Sequence, residues 1–406
     1  MAKIGVVGTL DSKGAEHVFV AEQIRQQGHV PVLIDVGTLS APTVSPEISR
    51  EAALAAAGLD LSDVLAGQDR GASVSAMATA AARFLPILCA RHGLAGVISL
   101  GGSCGTAIAS AGMRALPIGF PRVLVSTMAG GHVGHYVGTQ DIVMIPSVVD
   151  VSGLNRISRL VLSRAAGAIC GMVNVSPAAA ADRPVIVASM FGNTTGCINA
   201  AVPLLERAGY EVLVFHANGT GGRTMESLIE SGLVSGVLDV TTTELADELA
   251  GGVLSAGPER GFAAPRSGVP AIVTPGCLDM VNFGPPETIP ERYSGRKFYV
   301  HNPQVTLMRT TAEECKRLGQ MLAERINTST GPVTVLLPLR GISVISAAGG
   351  PFHDAEADAI LFSTLCNGLR RGIRVRDVDC EINSTEFAAA CAEELLGNMG
   401  VAGGSR

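Results

Sequence analysis

The sequence predicts an α/β protein made of two tandem halves, each a parallel sheet wrapped by helices. Three observations predict it. Short runs that are apolar throughout, such as residues 3–9 (KIGVVGT) and 94–102 (LAGVISLGG), alternate with longer segments of helical period. Runs without polar alternation mark strands covered on both faces. Glycine, 49 of 406 residues, is well above the usual ~7% and gathers where the apolar runs end. The order strand, small-residue turn, helix begins afresh near residue 183. Together these describe two Rossmann-like subdomains, 1–178 and 179–406, with a cleft expected between them.

Each element follows from its own pattern. Residues 3–9 read as a strand, 14–27 as a helix and 30–37 (VPVLIDVG) as the next strand. A helix over 74–92 leads into the strand at 94–102, then a small-residue helix over 103–115. Strands at 121–127 and 141–147 and a helix over 155–174 complete the first half. The Ala- and Pro-rich stretch 175–184 reads as a linker. The second half opens with a strand at 183–192, a helix over 196–208 and a strand beginning at 210. A helix at 224–232, the strand GVLDV, and strands at 270–276, 297–303, 333–339 and 373–379 follow, with helices over 311–327, 354–370 and 384–396. MFGNTTGCINAAVPLLERAG loosely echoes VVGTLDSKGAEHVFVAEQIRQQG, so the halves read as similar folds in tandem.

Composition narrows the function classes. With 47% hydrophobic residues, 4% aromatic and no Trp, the core is built from Ala, Val, Leu and Ile. A net charge of −6 argues against a general nucleic-acid surface, which needs a basic face. Residues 93–113 carry no charge but are rich in Gly, Ser and Thr, so they read as a buried strand, turn and helix and not as a membrane span. The N-terminus MAKIGVVG lacks the apolar stretch of a secretory signal. The nine cysteines are scattered and form no C-x-x-C pair. A reducing cytoplasmic setting is therefore expected, with Cys104, Cys197 and Cys277 as small buried residues.

Chemistry is expected at the strand tips. In a parallel sheet these tips share one edge, and ligands bind beyond it. In the first half they are Thr9, Asp11, Ser12 and Lys13; Gly101, Gly102 and Ser103; and Thr127, Gly130 and Gly131. Glycines admit backbone N–H groups to an anion, helix N-termini add partial positive charge, and Lys13 meets a phosphate as a point charge. Asp11 reads either as a Mg²⁺ ligand, as a partner of Lys13, or as a helix cap. No Walker A sequence occurs, nor a G-x-G-x-x-G with an acidic partner, which disfavours an ordinary P-loop enzyme or nicotinamide dehydrogenase.

The second half offers Gly192, Asn193 and Thr194, then His216-Ala-Asn-Gly219-Thr220-Gly221-Gly222-Arg223. That loop suits a second ligand, a carboxylate or phosphate held by backbone amides and Arg223. His216, Arg223, Asp279 and Arg340, with His301, are the candidate catalytic groups at these tips. His353-Asp354-x-Glu356-x-Asp358 reads as the acidic start of a helix in preference to a metal cluster, so no protein metal site is expected.

The stretches VVGTLDSKGAEHVFVAEQI, LGGSCGT, STMAGG, FGNTTGCI, FHANGTGGRTME, TPGCLDMVNFG and LPLRGIS…FHDAEAD give the chain a likeness to a known family. It resembles the ATP-binding family of the tobamovirus-resistance type, and its bacterial and fungal homologues most of all. The resemblance spans nearly the whole chain. It implies two α/β subdomains, ATP with Mg²⁺ as ligand, and self-association as a homodimer or higher oligomer. Ser12 stands where the family's D-T-K motif has Thr. The resemblance covers the ATP-binding region alone, so neither the barrel that follows it in plants nor the antiviral role is carried over. The leading expectation is a nucleotide-binding enzyme acting on a small carboxylated or phosphorylated metabolite. An ATP-binding regulatory protein with little turnover, and a lyase or hydrolase without ATP chemistry, are the alternatives.

Overall fold

The computed structural model describes residues 1–67, 69–175 and 183–400. The chain divides into two compact units, Met1–Ala179 and Ala180–Arg406. Most of the stretch read as a linker lies outside the described residues.

The first unit holds one parallel sheet of five strands: β1 (Lys3–Gly8), β2 (Val30–Asp35), β3 (Leu94–Gly101), β4 (Arg122–Ser126) and β5 (Val143–Pro146), in the order β2-β1-β3-β4-β5. Period-two alternation sends Ile4 and Val6 to one face and Val7 to the other. Ile4, Val6, Ile98 and Leu100 pack with the helices Leu10–Gln26 and Arg156–Asn174. Val7, Val97 and Leu124 pack with Arg70–His92 and Ser103–Arg114. Both faces are covered, which is why these strands are apolar throughout. Fully burying each such side chain contributes about 1.5–3 kcal/mol.

The second unit repeats this plan. Its main sheet contains β6 (Val185–Met190), β7 (Glu211–His216), β8 (Val234–Thr241), β9 (Ala271–Gly276), β13 (Val333–Pro338) and β14 (Arg374–Val378). All pair in parallel, in the order β7-β6-β8-β9-β13-β14. Ile186, Ala188, Leu238 and Ile272 pack with the helices Thr195–Arg207 and Thr385–Asn398. Val187, Val237, Val273 and Val335 pack with Thr220–Glu230, Ala312–Asn327 and Ala355–Gly368. Counted from its own first strand, the second sheet begins 2-1-3-4-5, as the first does.

One element departs from the expectation of parallel sheets alone. Strands β10 (Met280–Phe283), β11 (Phe298–Asn302) and β12 (Val305–Arg309) form a separate antiparallel sheet, in the order β10-β12-β11. Of these three, the sequence pattern predicts only β11. β10 starts four residues after β9, and the chain turns there through Cys277, whose φ is +59°. Five short helices among the described residues, Arg50–Ala56, Ser62–Ala66, Gly134–Val137, Glu244–Ala250 and Ala263–Ser267, also lie where the periodicity predicts none. Among the described residues one helix, Arg70–His92, is long and apolar enough to cross a membrane by composition. Its Met77, Phe84, Leu85 and Leu88 are buried in the core of the first unit.

Candidate functional site

In the first sheet β1 lies between β2 and β3, so the connections leave it in opposite directions. That switch point is where open α/β sheets bind ligands. A cavity of about 230 Å³ opens there, beyond the carboxyl ends of β1, β2 and β3. Thr9, Asp11, Ser12, Lys13, Gly102 and Ser103 line it. Thr38, Leu39, Arg70, Val74, Cys104, Gly105 and Asp150 complete the lining.

The helix after β1 starts at Leu10, not at 14, so Asp11, Ser12 and Lys13 occupy its first turn. Lys13 breaks the turn with φ −128° and ψ 25°. The break is held from behind by His17, whose Nδ1 lies 2.7 Å from the Lys13 carbonyl oxygen and donates to it. His17 is fully buried, its pKa is lowered by that burial, and its ring lies where a Cβ on Gly8 would stand, 1.8 Å from Nε2. Gly8 therefore has to be glycine.

Asp11 neither pairs with Lys13 nor caps the helix. Its Oδ2 accepts from the Leu39 backbone N–H at 2.9 Å and its Oδ1 from the Ser12 hydroxyl at 3.0 Å. Thr9 occupies the cap position. Asp35 is a second brace: its Oδ1 accepts from Leu10 N–H at 3.2 Å and Gly37 N–H at 2.9 Å, and burial raises its pKa. The two carboxylates thus bind the loop after β2 to the loop after β1.

The third wall is the start of the helix Ser103–Arg114. Gly102 caps it without a side chain, so its first N–H groups remain available. Among the described residues neither Lys13 nor Arg70 forms an ion pair with the protein. Two cations and a helix N-terminus therefore face one open volume. Gly101, Thr127, Gly130 and Gly131 do not line it. A Cβ on Gly101 would come within 3.2 Å of Gly105 Cα, so Gly101 lets the strand and helix approach each other. Gly130 and Gly131 belong to a turn beyond the cavity. Cys104 is half-buried at the rim, whereas Cys197 and Cys277 are buried as expected. Asp150 follows a tight turn in which Val148 has φ +66° and Val149 N–H donates to Ser147 O at 2.7 Å. Such a turn is strained for a β-branched residue, and it carries the Asp150 carboxylate to the cavity.

The second unit handles its glycine-rich loop differently. The N–H groups of Gly219 and Gly222 do hold a carboxylate, but it is the protein's own Glu244, at 2.7 and 3.1 Å. A Cβ on Gly222 would lie 2.1 Å from Glu244 Oε2. Glu244 in turn accepts from Arg260 Nε at 2.6 Å. Arg260 also reaches Asp239 through both terminal nitrogens at 2.7 Å, and Glu226 at 3.1 Å. Burial alone would lower the Arg260 pKa, but the surrounding carboxylates drive it well above its usual value. The expected external anion is thus replaced by an internal network.

The catalytic candidates separate accordingly. Arg223 donates to Ser255 O at 3.2 Å and to the Thr220 hydroxyl at 3.3 Å. Arg340 is engaged by Asp379 at 2.8 and 2.6 Å on the surface. Asp279 is fully buried, accepts from the Ser343 hydroxyl at 2.8 Å, and is pushed by burial up to about 7. Thr194 turns inward to the Thr241 hydroxyl at 2.7 Å. Asp354 caps the helix Ala355–Gly368 through Ala357 N–H at 3.0 Å, and Asp358 pairs with Arg309 at 2.6 Å. His216, His301, Gly192 and Asn193 alone among the second set share a cavity, of about 320 Å³.

Arg70 and Arg260 were missed. The helix of Arg70 begins four residues before residue 74, where its helical period starts. Arg260 stands in a stretch without period, and its partners lie 16 to 34 residues away.

Comparison with known proteins fits this division into two units. The N-terminal domain of the uncharacterised protein family UPF0261 matches residues 2–178, and its C-terminal domain matches residues 183–399. A UPF0261 protein of Rhizobium meliloti is 50% identical over 96% of this chain and 97% of its own length. The ToMV resistance protein Tm-1 of Solanum lycopersicum is 43% identical over 80% of this chain, which corresponds to 44% of the tomato protein. MurG of Acinetobacter baumannii is a far more distant likeness, with 11% identity and a TM-score of 0.22 over 97% of this chain and the whole of its own. Matched in both units and half identical to a relative over nearly all of its length, the chain belongs to the UPF0261 family.

Proposed function

We propose that the first unit binds a nucleoside triphosphate, with ATP and Mg²⁺ as the pair implied by the resemblance set out above. The observation that carries this reading is the meeting of Lys13, Arg70 and the uncapped helix start at Gly102–Gly105 around one cavity at the sheet's switch point. Amides at a helix N-terminus and unpaired cations are complementary to phosphate oxygens. The Ser103 hydroxyl adds a neutral donor at the same wall.

The residues present fit the metal. Mg²⁺ that accompanies a nucleotide needs only one or two protein carboxylates, the remaining positions being water and phosphate. Asp150 supplies a carboxylate on the lining, and Asp11, already braced by Leu39 and Ser12, supplies a second on the same lining. A bound Mg²⁺ would neutralise phosphate charge. This chain's own residues seat and orient the phosphates, and the strained turn at Val148 fixes where Asp150 stands.

Calorimetric titration with Mg·ATP tests the proposal. Saturable binding is expected, and Lys13→Ala should weaken it roughly ten- to a hundredfold, since a charge-assisted contact contributes about 1.5–3 kcal/mol. An unchanged affinity in that variant removes Lys13 from the site. ATP hydrolysis measured with and without cell metabolites then distinguishes an enzyme from a binding protein with little turnover.

A further inference from the structure

The cavity of the second unit lies beyond the carboxyl ends of β6 and β7, with the β11–β12 hairpin as its far wall. It differs in kind from the cavity of the first unit. No Lys, Arg, Asp or Glu lines it. The neighbouring loop amides are committed to Glu244. The Phe191 and His216 rings are stacked, with centroids 5.2 Å apart and planes 30° apart. Leu254, Val305 and Leu307 supply apolar surface.

The polar groups that remain are amides and imidazoles. Asn218 and Asn302 each spend a side-chain oxygen inside the protein, on Gly221 N–H at 3.0 Å and on Gln304 N–H at 2.9 Å. Their Nδ2 groups are left as donors. His301 adds a second imidazole from the hairpin.

We propose that this cavity binds an uncharged planar heterocycle with amide edges, of the pyrimidine-base or nicotinamide class, stacked against Phe191 and His216. Such a ring matches each feature of the lining. Its faces lie on aromatic and aliphatic walls, its carbonyl oxygens meet asparagine donors, and it brings no charge to a wall without Lys, Arg, Asp or Glu. The site is separate from the nucleotide cavity proposed above and does not rest on that reading.

Histidine NMR tests it directly. The Hε1 resonances of His216 and His301 are assigned with His216→Gln and His301→Gln, then followed while uracil or nicotinamide is added to the full chain. A saturable shift of the His216 signal is expected, with a dissociation constant on the order of millimolar or tighter. Phe191→Ala should weaken binding about five- to a hundredfold, as expected for loss of one stacking partner. Asn302→Ala, at an exposed hairpin position, should weaken it severalfold while the remaining spectrum is unchanged. Lys13→Ala should leave the titration as it was, whatever becomes of ATP binding. Absence of a saturable shift with both compounds, an equal response to acetate or phosphate, or a response altered by Lys13→Ala would each overturn the proposal.

Discussion

The two units begin with the same strand order and treat the edge of their sheets in opposite ways. In the first, the carboxyl ends of β1 and β3 present Lys13 and an uncapped helix, and the helix Arg70–His92 presents Arg70, to one open volume. In the second, the loops after β7 and β8 close on each other through Glu244 and Arg260. Glycine-rich turns signal that an anion sits against backbone amides. They do not say whether the anion is a ligand or a side chain of the protein. The difference is made by single residues well outside the motif: Arg260 fills one edge, and nothing among the described residues fills the other.

The largest test of that contrast is Arg260→Ala. It leaves the buried Asp239 and Glu244 carboxylates without their counter-charge, which costs about 3–5 kcal/mol. Thermal unfolding should drop by roughly 6–20 °C at 2–4 °C per kcal/mol, whereas Lys13→Ala should leave the midpoint in place. A stable Arg260→Ala protein would mean that the network is not what holds this edge together.

A smaller effect is expected from Gly222→Ala. The new methyl meets the Glu244 carboxylate, and overpacking of this kind costs about 1–3 kcal/mol. Gly130→Ala in the first unit meets open space and should change stability by less than about 0.5 kcal/mol. Equal midpoints in denaturant for the two variants would erase the distinction between a loop closed on itself and one that is open.

The smallest effect is a pH dependence located in the second unit. Burial raises Asp247 to about 8, although Asn282 donates to it from N and Nδ2, both at 2.7 Å. Burial raises Asp279 to about 7. A carboxyl whose pKa is higher folded than unfolded holds its proton in the native state after the unfolded chain has lost it. Its contribution is therefore full below the unfolded value near 4 and is lost as pH rises through 7 and 8. Unfolding free energy should fall by roughly 1–2 kcal/mol between pH 7 and 8. A flat profile over that range would place both protons in the solvent instead.

Much of this was legible in the chain because it is local. Ile4-Gly5-Val6-Val7 and the run from Val97 to Leu100 had to be strands covered on both faces, and Lys13 and Ser103 had to lie at their tips. What escaped depends on distance. Nothing near Glu244 indicates that it turns back to Gly219 and Gly222, 25 and 22 residues earlier. Nothing near Asp11 shows that its carboxylate is spent on Leu39, 28 residues on. The antiparallel sheet was hidden because β10 is only four residues long and follows β9 without an intervening polar segment.

The contact between Gly8 and His17 makes the last residue of a strand and the ammonium-bearing residue of the next element move as one part. Any side chain at position 8 pushes the imidazole, and the imidazole pulls on the carbonyl of Lys13. A substitution on the far side of the helix thus changes the aim of the lysine without touching the cavity. Positions 8, 13 and 17 are therefore a single mechanical unit, and an engineer who alters one has to refit the other two.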